Sequence, residues 1–178
     1  MKLKFVVILL SLIIFTQIVC AKDIGTTILQ LPTNAYDAAL ANTTGSDELS
    51  ALSNPALIPF LSRSITLTHV MFLENMKYSI GNVNVPITDK SGINFGFCYF
   101  DSGKINKTIE NGDSYITDGD FNATDKMFTL SYGKIFKDSF SVGVAIKFIE
   151  QKIDDTSYSS FLVGINGLYF FSNNVFCT

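Results

Sequence analysis

His69 is the only histidine in the chain, and Glu74 lies five residues beyond it. An acid–base or nucleophilic site needs a second and third group within reach of such a ring. No Asp, Ser and Cys constellation surrounds it in the sequence, so His69 reads as a packed residue, not a catalytic one. Asp118, Asp120 and Asn122 have the first, third and fifth positions of a calcium loop. That loop also needs Gly at the sixth position and Glu at the twelfth. The chain has Ala123 and Thr129 there, so the segment reads as a solvated loop. One histidine and three dispersed cysteines exclude a zinc cluster. The chain also lacks a phosphate-binding loop and a Gly-x-Ser-x-Gly elbow. Asn42, Asn106 and Asn122 each open an Asn-x-Thr sequon, read as chance matches in an Asn-rich chain. No catalytic, cofactor or metal site is expected, and the chain is read as a non-enzyme.

Composition narrows the partners. With 13 Lys and Arg against 16 Asp and Glu, the formal charge is −3, which gives no electrostatic footprint for nucleic acid. Hydrophobic residues make up 47% of the chain, more than a disordered chain carries. Residues 1–21 have the form of a secretory signal. Lys2 and Lys4 precede an apolar run from Phe5 to Phe15 broken only by Ser11, and Val19-Cys20-Ala21 offers a cleavage site before Lys22. The run is short for a membrane-spanning helix, which needs about 20 apolar residues. Cleavage removes Cys20 and leaves Cys98 and Cys177, which an exported protein can pair as a disulfide.

The elements that carry these residues are strands. From Ser139 to Ile149, Phe140, Val142, Val144, Ile146 and Phe148 alternate with Ser139, Ser141, Gly143, Ala145 and Lys147. This period of two is that of a strand with one apolar face. Gly92–Phe100, Met127–Ile135 and Phe161–Phe171 repeat it, and Ile65–Leu73 and Lys77–Val85 follow it less tidily, with His69 on the apolar face. Six strands are expected over residues 65–178, separated by two longer connections, 101–126 and 150–160. The apolar faces are aromatic and the opposite faces small or polar. Strands of about nine to eleven residues suit a tilted span of a bilayer, where the apolar face meets lipid and the other lines a lumen. The alternative is a soluble secreted β-rich binding or structural protein with the aromatic faces as its core. On the barrel reading Lys147 faces the lumen and would pair with an acid of the segment before the strands. Arg is expected to block membrane assembly at Val144 and to be better tolerated at Gly143.

Residues 22–64 differ in character. Tyr36–Ala41 and Glu48–Leu52 read as short helical pieces, the second capped by Asp47 and stopped at Asn54-Pro55. The segment is read either as a plug in the lumen or as a periplasmic lead-in.

Asp47, the short helical stretch and Asn54-Pro55-Ala56-Leu57 just ahead of the first strand form a pattern. With Thr68-His69-Val70, Gly92–Phe97 and Leu130-Ser131-Tyr132-Gly133, they resemble the start of the fatty-acid-transporter-like outer-membrane barrels, within which the chain is most similar to the PorV/PorQ family. The resemblance spans roughly residues 25–171. It implies an antiparallel outer-membrane β-barrel with an N-terminal plug containing Asp47, Asn54, Pro55 and Ala56, in the outer membrane of a bacterium. It also implies outer-membrane lipid as a partner, and hydrophobic solutes or proteins exported by a type IX-like route as cargo. Six strands fall short of the eight of the smallest single-chain barrels, and the C-terminus lacks the aromatic residue usual in such barrels. The chain is therefore expected to be the N-terminal part of a longer protein, or one of several chains forming a barrel.

Overall fold

The computed structural model describes residues 27–34, 38–39, 47–112, 114–137, 139–172 and 175–177. The signal-like residues 1–21 and most of the expected piece Tyr36–Ala41 lie outside them. The described chain is all-β and antiparallel. Its main sheet has seven strands: β1 (Ser64–Met71), β2 (Lys77–Thr88), β3 (Ser91–Asp101), β6 (Ala123–Lys137), β7 (Phe140–Ile153), β8 (Thr156–Ser172) and β9 (Val175–Cys177), in that order across the sheet. A separate hairpin of β4 (Ile105–Asn111) and β5 (Ser114–Phe121) stands between β3 and β6. Each strand of the main sheet pairs antiparallel with the next, and the sheet is open, with β1 and β9 at its edges.

All six expected strands are present, most of them longer than their alternation suggested. The expected strand Ile65–Leu73 instead ends at Met71. A turn at Leu73–Asn75 follows, where Glu74 and Asn75 take positive φ of 58° and 64° and Phe72 N donates to Met76 O at 2.9 Å. The connection expected over 150–160 shrinks to Asp154-Asp155, because β7 and β8 pair from Ile153↔Thr156 onward. Nor is the stretch 101–126 a plain loop, since it contains the β4–β5 hairpin. Every described residue of that hairpin from Ile105 to Asp120 is exposed, so both its faces are wet and no alternation marks it.

Three 3₁₀ helices precede the sheet: η1 (Thr27–Leu29), η2 (Glu48–Leu52) and η3 (Pro55–Phe60). The helical reading of Glu48–Leu52 holds, with Asp47 as its cap. Asn54-Pro55 does more than end it. Asn54 Oδ1 accepts from Ala56 N at 3.1 Å and Pro55 opens η3, a position where proline's missing N–H costs nothing.

The three helices lie on one face of the sheet. Half of the buried apolar residues come from them (Ile28, Leu49, Ala51, Leu52, Ala56, Leu57, Ile58), and they cluster with Tyr78, Ile80, Cys98, Met127, Ile149 and Leu168 of the strands. The covered face is the small and polar one. The apolar face is outside: Ile65, Leu67, Phe161, Val163 and Ile165 are each more than 70% exposed.

Candidate functional site

Two surfaces of the sheet carry organised features. The first is the seat of the N-terminal segment. Gly92 pairs with Gly133 and Gly133 with Gly143, so three glycines stand side by side across β3, β6 and β7. η3 lies in the trough they leave. A β-carbon on Gly92 would come within 2.9 Å of Ile58 Cγ2, and one on Gly133 or Gly143 would strike the backbone of Pro55. One row over from Asn94, Gly96 leaves room for Leu52 of η2. Glycine is used here for close approach of backbone to backbone.

Side chains of the same face hold the segment by its carbonyls. Asn82 Nδ2 donates to Glu48 O at 2.8 Å, and Asn84 Nδ2 donates to Ser62 O at 2.9 Å and Leu61 O at 3.2 Å. Ser141 Oγ donates to Ala56 O at 2.8 Å. Within the segment, Asp47 Oδ1 accepts from Ser50 N at 2.9 Å and from Ser50 Oγ at 2.6 Å, while its other oxygen accepts from Asn34 Nδ2. The four motif residues singled out in the sequence therefore share one task. Asp47 and Asn54 cap successive 3₁₀ turns, and Pro55 and Ala56 are the residues pressed onto the glycine row.

Lys147 does lie on the covered face, paired with Thr129 and Leu162. It borders a cavity of about 30 Å³ shared with Ile28, Leu52, Tyr78 and Met127. Among the described residues Lys147 makes no ion pair, and Asp47 is occupied by Asn34 and Ser50; Asp23 and Asp37 of the segment lie outside the described residues. Gly143 overturns the expectation that Arg is tolerated there, since even a methyl group would strike Pro55 and Ala56. Cys98 is a free, fully buried thiol, so the pairing with Cys177 is not made.

The second surface is the exposed apolar face. Strand register sets Leu67, Gly81, Phe97, Phe128, Phe148 and Phe161 in one transverse row. Phe97 and Phe128 have ring centroids 4.9 Å apart, as do Phe148 and Phe161. The next row is Ile65, Val83, Phe95, Leu130, Ile146 and Val163, and beyond it come Val85, Ile93, Tyr132, Val144 and Ile165. The band is bounded. On one side the row is His69, Ser79, Tyr99, Lys126, Glu150 and Ser159, with His69 Nδ1 2.9 Å from Ser79 Oγ and Lys126 Nζ 3.6 Å from Glu150. On the other side stands Lys134. Lys126 to Lys134 spans about 26 Å along the strand at ~3.3 Å per residue.

The β4–β5 hairpin rises from the His69 end. Its base is tied by Ser102 N to Ala123 O (2.9 Å), Ala123 N to Ser102 Oγ (2.8 Å) and the Lys104–Asp120 ion pair (2.7 Å). Asp101, Gly103, Lys104, Asp120, Phe121 and Asn122 line an open cleft of about 280 Å³ there. The pair holds the Asp120 carboxyl below the usual carboxylate range and the Lys104 ammonium above its own. Among the described residues no three His, Cys, Asp or Glu side chains are grouped as metal ligands, and no helix is long and apolar enough to cross a membrane.

No family model and no curated protein matches the chain. The glycine row and the aromatic row were not recognised from the sequence. Their members are 41 and 10 residues apart for Gly92, Gly133 and Gly143, and only strand register brings them together.

Proposed function

We propose that this protein is a strand-spanning component of a bacterial outer membrane, exported through a cleaved signal peptide, with the N-terminal segment seated in the lumen of a β-barrel. One observation carries the reading: the aromatic, apolar face of the sheet is the exposed one, and the small, polar face is covered. A soluble sheet buries its apolar face, whereas a membrane barrel turns it to lipid in a band ~25 Å tall, flanked by aromatic girdles. The Phe97–Phe161 row next to Lys126 and Glu150 has the character of such a girdle. Because the sheet is open, the barrel would be closed by further strands or further chains, since lipid cannot satisfy an unpaired edge. The resemblance of Asp47 and Asn54-Pro55-Ala56 to the PorV/PorQ group supports a passive role. The seated segment and lumen would bind hydrophobic solutes or an exported protein, with no bond made or broken.

The test is Val144→Arg, expressed with the native signal and followed in washed outer membranes on gels run with and without boiling. Val144 is 43% exposed on the outer face, so in a soluble protein an arginine there is harmless. Against lipid it costs about 2–4 kcal/mol at mid-bilayer. The expected result is a heat-shifted membrane band for the native chain and its loss in the variant. A soluble native chain that the substitution leaves unchanged would replace this reading with a secreted β-rich binding protein.

A further inference from the structure

The covered face contains a patch that packing alone does not explain. Ser64, Asn84, Asn94 and Ser131 are consecutive partners in one transverse row across β1, β2, β3 and β6. Asn82 and Thr129 lie in the neighbouring row, with Gly96 between them. Seven polar atoms of these six residues are buried without a hydrogen-bond partner: Ser64 Oγ, Asn82 Oδ1, Asn84 Oδ1, both Nδ2 and Oδ1 of Asn94, Thr129 Oγ1 and Ser131 Oγ. Asn94 is 1% exposed, and neither atom of its amide has a partner. Buried polar groups are nearly always satisfied by protein or by ordered water. Left dry, seven orphans in one patch would cost as much as the whole stability margin of a typical domain.

We infer that the N-terminal segment rests on a layer of bound water held by Ser64, Asn82, Asn84, Asn94, Thr129 and Ser131. The donor and acceptor pattern selects the ligand. The patch offers amide oxygens that only accept, one amide nitrogen that only donates, and hydroxyls that do either. None of the six residues is charged and Lys147, next in the row beyond Thr129, is the one cation bordering them among the described residues, so water is the ligand that answers this mixed neutral set. Neighbours across a row stand about 5 Å apart at Cβ, a spacing that one water bridges with two to four bonds. Further along the row Ala145 and Gly164 are too small to intrude. Asn82 and Asn84 each use Nδ2 on the segment's carbonyls and turn a free oxygen to the layer. They thus join the segment to the water and the water to the sheet. The adjacent row of Ile80, Cys98, Met127 and Ile149 is apolar and stays dry, so the seat is wet along one stripe and sealed along the next. The layer depends on what lies under the segment and not on what the outer face touches, so it stands or falls separately from the membrane reading.

Water-edited solid-state NMR on the full ¹⁵N-labelled chain, in lipid vesicles or sedimented from solution, tests this. Polarisation from water is expected to reach the Asn94 side-chain amide as early as that of exposed Asn122, and ahead of the backbone amide of Cys98. Build-up at Asn94 as late as at Cys98 would overturn the proposal. So would a high-resolution structure in which Asn94 and Ser131 bond directly to protein groups.

Discussion

Gly143 shows how little room a single residue leaves. Its place under Pro55 and Ala56 admits hydrogen alone, and relief of a β-carbon there requires shifting backbone, not rotating a side chain. Gly143→Ala is expected to lower stability by about 1–3 kcal/mol, as overpacking does, read as a lower denaturation midpoint. Gly164→Ala is the control, because its nearest foreign atom is Asn166 Oδ1 at 3.9 Å. Asp47 works by hydrogen bonding instead. Asp47→Ala removes the acceptor of Ser50 N and is expected to cost about 0.5–2 kcal/mol, while Asp47→Asn keeps most of the cap. Urea midpoints of the two variants check this. The cap was readable in the sequence because a carboxylate ahead of Glu48–Leu52 acts within one turn. The glycine contacts were not, because they depend on which strand lies beside which.

Elements differ in what fixes them. η2 has too few residues to persist alone, since short isolated helices are marginal in water. It is held by Leu52, 1% exposed and wedged over Gly96. Leu52→Ala is expected to cost about 2–5 kcal/mol and to expose the segment to protease before the sheet unfolds. The β4–β5 hairpin is fixed by hydrogen bonds and charge at its base. Asp120 is held below its ordinary range by Lys104. The pair therefore supports the hairpin above the ordinary Asp value of about 4, and that support is lost as pH falls through the lowered one. Lys104, raised by the same contact, sets the alkaline limit, where support is lost as pH rises through its raised value. A ¹³C titration of the Asp120 carboxyl is expected to give a midpoint below the ordinary value in the native chain and a return to it in Lys104→Ala. No titration difference between the two would remove the pair from the account of the hairpin.

Across the described residues, the N-terminal segment covers the sheet face of small, polar and scattered apolar residues and leaves the aromatic, apolar face exposed. The chain has no tryptophan, so an introduced one reports alone at its own wavelength. Phe128→Trp, in the middle of the aromatic row, is expected to be quenched by lipids brominated in their acyl chains. Tyr115→Trp, 77% exposed on the hairpin, is expected to be unaffected. Equal insensitivity of both would separate the outer face from lipid.

The six main strands, the face each residue occupies, the capping role of Asp47 and the helix stop at Asn54-Pro55 follow from local rules, period-two alternation and side chain–backbone bonding within a turn, and the sequence by itself determined them. The exposed hairpin at 105–121 escaped, because a ribbon wetted on both faces has no polarity pattern to read. Which face is covered, what covers it, the alignment of Gly92, Gly133 and Gly143, the line of Phe97, Phe128, Phe148 and Phe161, and the gathering of Asn84, Asn94 and Ser131 were decided by tertiary structure. Each requires residues tens of positions apart to share one transverse row. Register sets that row through pairing between strands, which no single strand's sequence contains.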